Sequence, residues 1–88
     1  MLSFPARVVR DGKGFAVSFP DIPEALTGAV SRTQALGMAA DALATAMEFY
    51  LEDHRRVPAP SAAKRGEVAI VLPPNVAEKV LLLNEMLS

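Results

Sequence analysis

The side chains able to do chemistry in this sequence are few. Asp11, Asp21, Glu24, Glu48 and Glu52 are carboxylates that a magnesium-dependent nuclease could use. Such a site needs acidic groups converging from strands and a helix, so that the cation is held and neutralised. The spacing argues against it. Asp11 belongs to an Asp11-Gly12 turn that already explains it, and Glu48 and Glu52 stand four apart on a helix, where a solvated face is the ordinary outcome. The single histidine, His54, has Asp53 beside it in the chain, but adjacent residues do not thereby face each other. The basic run His54-Arg55-Arg56 suits the negative end of a helix dipole. Gly12 and Gly14 sit in a hairpin turn with no helix after it, so they do not cradle phosphate. With no cysteine, disulfides and thiolate metal sites are excluded. No catalytic residue, metal ligand or cofactor is expected.

The most distinctive segment is PDIPEA, residues 20–25. Two prolines pre-set its backbone, so it is either a rigid turn or a preordered surface loop offering Asp21, Ile22 and Glu24 to a partner. Acidic groups there would steer a basic partner.

The elements that must position these residues follow from periodicity. FPARVVR (4–10) and FAVSF (15–19) alternate, with Phe15, Val17 and Phe19 on one face, and DGKG (11–14) joins them as a hairpin. LTGAV (26–30) is a third strand, with Gly28 as a candidate bulge. Ser31 and Gln34 form a capping-box pattern before a helix from Arg32 to about Glu52, whose stripe is Leu36, Ala40, Leu43, Met47 and Tyr50. VPAPSAAKRG (57–66) is an extended linker. EVAIVL (67–72) reads as a strand buried on both faces. Pro73-Pro74 open a last helix with the stripe Val76, Val80, Leu83 and Leu87, predicted as an oligomer contact because nothing later in the sequence covers it, with a helix folded back on its own sheet as the alternative.

The expected fold is α+β: a three-strand antiparallel meander, a helix crossing over with right hand, a fourth strand parallel to the first, and a C-terminal helix. Length and charge bound the rest. Eighty-eight residues make one domain, and a mean hydropathy of +0.26 is high for so small a chain, so part of its apolar surface is expected to meet a partner. A net charge of −1 lacks the basic excess of a nucleic-acid binder. No apolar run is long enough to span a membrane, and Arg7, Arg10 and Asp11 interrupt any leader, so a cytoplasmic location is expected.

FAVSFPDIPEALT (15–27) followed by an alanine-rich helix, FYLEDHRRVPAPS (49–61) and VLPPNVAEKVLLLNEML (71–87) together resemble the HicB antitoxin family over nearly the whole chain. The resemblance implies a partial ribonuclease-H-like fold and an antitoxin, not an enzyme. Its partner would be a small basic HicA-like toxin that cleaves RNA, with the toxin's active site occluded. Asp21, Ile22 and Glu24 would lie near the toxin-facing surface. It also implies autorepression through operator DNA, carried by a C-terminal domain of the helix-turn-helix or ribbon-helix-helix kind. Residues 1–72 then read as the toxin-binding core and 73–88 as the start of a DNA-binding region missing from this chain. The alternatives are a minimal metal-dependent nuclease using Asp21 with Glu48 or Glu52, and a homo-oligomeric structural domain. TGAVS (27–31) departs from the family's more polar approach to the helix.

Overall fold

The computed structural model describes residues 2–88. Alternation of apolar and polar residues builds the first half. Strand β1 (Ser3–Asp11) and strand β2 (Gly14–Ser18) form a hairpin, and strand β3 (Leu26–Ala29) adds to β2. All three pair antiparallel, with Val8 opposite Val17 and Val17 opposite Thr27. Gly12 adopts a φ of 61° in the hairpin, a conformation open to glycine at little cost. Gly14 serves differently: a Cβ there would stand 2.6 Å from the carbonyl oxygen of Ala29, so the β2–β3 approach requires its bare backbone. Gly28 pairs directly with Ala16 and marks no bulge.

Helix α1 (Arg32–Glu52) begins where the capping signal places it, with the Ser31 hydroxyl accepting the Gln34 amide at 3.1 Å. Its buried stripe is Ala35, Ala39, Leu43, Ala46, Met47 and Tyr50, while Leu36 and Ala40 are only half-buried. The helix has turned so that alanines face the sheet, which lets the two layers approach closely. The helix ends on Asp53 and His54. The His54 amide bonds the Leu51 carbonyl and the Arg55 amide bonds the Tyr50 carbonyl, with His54 at φ 53°, the pattern of a left-handed helix stop. His54 thus terminates the helix through its backbone.

Strand β4 (Val68–Val71) joins the other edge, giving the order β3-β2-β1-β4. It runs antiparallel to β1, with Ser3 opposite Val71 and Ala6 opposite Val68, so the parallel fourth strand and right-handed crossover expected from the sequence are not found. The physical reason is the proline-rich segment. Helix α1 carries the chain down one face, and residues 53–67, which form neither helix nor strand, carry it back before β4 begins. Two traverses reverse the strand direction that one traverse would give. As an edge strand, β4 buries Ile70 but exposes Ala69 and Val71, so it is not covered on both faces.

Helix α2 (Pro74–Met86) has proline at its start, packs against α1 and adds Ala77 and Val80 to the main core, with Leu83 also buried. The fold is therefore α+β, with a four-strand antiparallel sheet and two helices.

Candidate partner-binding site

The PDIPEA segment folds inward. Two consecutive turns, closed by the Ile22 amide on Phe19 and the Ala25 amide on Ile22, drive the Ile22 side chain to complete burial beside Phe19 and Ala25. Ile22 is core and does not reach the surface where a partner contact was expected. Apolar burial outweighs display here, because a preordered loop still gains from removing an isoleucine from water.

Both carboxylates of the segment hold the chain to itself. Asp21 accepts the Ser61 amide and the Ser61 hydroxyl, each at 2.7 Å. This pins the extended segment after α1 to the bend before β3. Glu24 accepts the Tyr50 hydroxyl at 2.8 Å and both terminal nitrogens of Arg55 at 3.1 Å. The Arg55 guanidinium also lies 4.1 Å from the centre of the Tyr50 ring. The Tyr50 hydrogen bond, with Arg55 adding to it, holds the Glu24 carboxyl below its ordinary value. Desolvation first, then the Glu24 carboxylate, push the Tyr50 phenol up. Asp21 and Glu24, predicted as toxin-facing, are thus engaged in internal clamps, one at each end of the same bend.

The predicted oligomer stripe is divided. Val80 and Leu83 are buried in the chain's own core, Val76 is half-buried, and Leu87 is exposed. Solvent instead meets Leu81, Leu82 and Met86, the latter two 58% and 70% exposed. The stripe was displaced because Asn84 turns inward: its side-chain oxygen accepts the Val57 amide at 2.8 Å and its side-chain nitrogen donates to the Val57 carbonyl at 2.9 Å. That pairing fixes which face of α2 meets the core.

For metal chemistry the arrangement is unsuited. Among the described residues no three histidine, aspartate or glutamate side chains converge, and the Asp21 oxygens are taken by Ser61. Nor, among the described residues, is any helix long and apolar enough to cross a membrane.

A groove of about 300 Å³ between α1 and β3 was not anticipated. Ala42 and Ala46 line it together with Leu26, Thr27, Met38 and Phe49. The sequence carried its signal in the two large apolar residues at positions 38 and 49, which fall outside the buried stripe of α1.

The model of the HicB-like antitoxin of bacterial toxin–antitoxin systems matches residues 3–81, from the first residue of β1 into α2. The chain is 52% identical over 87 residues to Antitoxin HicB 2 of Photorhabdus laumondii, covering 99% of this chain and 61% of that protein. It is 53% identical over 75 residues to Antitoxin HicB 1 of the same organism, covering 85% of this chain and 47% of the relative. Antitoxin HicB of Escherichia coli K12 is 49% identical over 75 residues, covering 85% of this chain and 54% of its own length. The chain thus spans about half to three-fifths of the length of these relatives. A match that runs through the sheet, both internal clamps and the start of α2 places this chain in the HicB-like antitoxin family.

Proposed function

We propose that this chain is the toxin-binding part of a type II antitoxin, which binds a HicA-like RNA-cleaving toxin in the cytoplasm and occludes its active site without catalysis of its own. The observation that carries this reading is the family match across residues 3–81, which takes in the whole sheet and α1. The interior supports it. Asp21 and Glu24 are spent on holding the fold, which suits a rigid binding module better than a nuclease. Operator binding and autorepression, in this reading, belong to the part of the relatives' length that this chain does not span. Self-association would use the exposed side of α2, at Leu81, Leu82, Met86 and Leu87, in place of the buried Val80 and Leu83.

Co-expression with a HicA-like toxin tests the reading. Cells in which the toxin alone halts growth are expected to resume growth when this chain accumulates beside it. Continued arrest, with the chain present in soluble form, contradicts the proposal.

A further inference from the structure

Resting on the antitoxin reading, we infer that the toxin docks on the outer side of α1 and the groove between α1 and β3, where Glu24 is the one residue of the PDIPEA bend in the lining. The groove is open, and Glu24, Thr27, Asp41 and Thr45 share its lining with apolar side chains. Leu26, Met38 and Phe49 border it and are 69%, 44% and 51% exposed, a high exposure for large apolar side chains gathered at one place. Alanines at 42 and 46 keep it hollow.

The charge beside the groove says what it takes. Asp41 lies on its rim. On an α-helix, Asp41, Glu48 and Glu52 fall within about 40° of one another, so they form one stripe along the solvent side of α1. All three are exposed, and among the described residues no cation stands within ion-pair distance of them. Asp41 and Glu48 lie two turns apart, about 10 Å along the axis. The occupant is therefore a cationic protein surface with an apolar centre. An enzyme that grips an RNA backbone must carry such a cationic surface, because phosphate binding rests on lysine and arginine. Covering that surface with carboxylates would deny it to RNA, and opposite charge would speed the encounter. The outer side of α2 fits less well, since Glu78, Lys79 and Glu85 mix both signs there.

The experiment uses calorimetry with a cleavage-deficient HicA-like toxin at two salt concentrations. One variant combines Asp41→Asn, Glu48→Gln and Glu52→Gln; a second is Phe49→Ala; a third, on α2, combines Leu82→Ser and Met86→Ser. The altered residues are exposed, and thermal unfolding checks that each variant is folded. The acidic-stripe variant is expected to bind at least about tenfold more weakly at low salt and to lose most of its salt dependence. Phe49→Ala is expected to weaken binding at both salt concentrations, and the α2 variant to bind as the unaltered chain does. Unaltered affinity and salt dependence in the first two variants overturn this surface while leaving the antitoxin reading intact. Loss of binding in the α2 variant alone also overturns it. No binding by the unaltered chain overturns the antitoxin reading and this surface with it.

Discussion

Glu24 is an acidic residue on an exposed bend whose work is internal. Its carboxylate is held ionised by Tyr50 and Arg55, so its folded pKa lies below the unfolded value of 4.5. A depressed carboxylate contributes stability that is fully present above the unfolded value and is lost as pH falls through the folded one. Glu24→Gln is therefore expected to lower the unfolding temperature at pH 7, by an amount that shrinks as the buffer is taken below pH 4; an equal loss at both pH values would contradict the clamp. The contribution is modest, because Arg55 is well exposed and water screens the pair. Ile22, two residues earlier, is a larger matter. It is completely buried, and Ile22→Ala is expected to cost about 2–5 kcal/mol in denaturant unfolding, where a surface contact would cost almost nothing.

At the scale of elements, local signals were legible and distant ones were not. The hairpin follows from strict alternation with Asp11-Gly12 between, and α1 starts and ends where Ser31 and Glu52 place it. These features depend on residues within a few positions of each other. The direction of β4 depends on the path of residues 53–67, where Ser61 is bonded to Asp21 forty residues away, and α2 is tied to Val57 through Asn84. No period in the sequence encodes either contact. The PDIPEA motif was recognisable as a turn, but the choice between display and burial of Ile22 was made by the core it meets. The groove beside α1 was hidden for a related reason: the alanine-rich helix offers several possible inward stripes, and which one is buried decides which residues are left outside. The end of α1 gives its own prediction. His54 sits at φ 53°, where a side chain is strained and glycine is not. His54→Gly is expected to stabilise the fold by up to roughly 1 kcal/mol in chemical unfolding, whereas a catalytic or dipole role would make the substitution harmful or neutral.

For the whole molecule, the high hydropathy has two destinations. Much of it lies in the interior between the sheet, α1 and α2, and the remainder is exposed on α2 and along the α1–β3 groove. The net charge of −1 hides an uneven distribution, since Asp41, Glu48 and Glu52 gather on one side of α1. The extended segment 57–66, tied at Val57 by Asn84 and at Ser61 by Asp21, closes the structure into one unit. The proposed function requires that this chain by itself silence a toxin. The direct measurement is cleavage of an RNA by a HicA-like toxin as purified chain is titrated in. Cleavage should fall to background near the stoichiometric ratio; undiminished cleavage in the presence of excess folded chain would contradict the account.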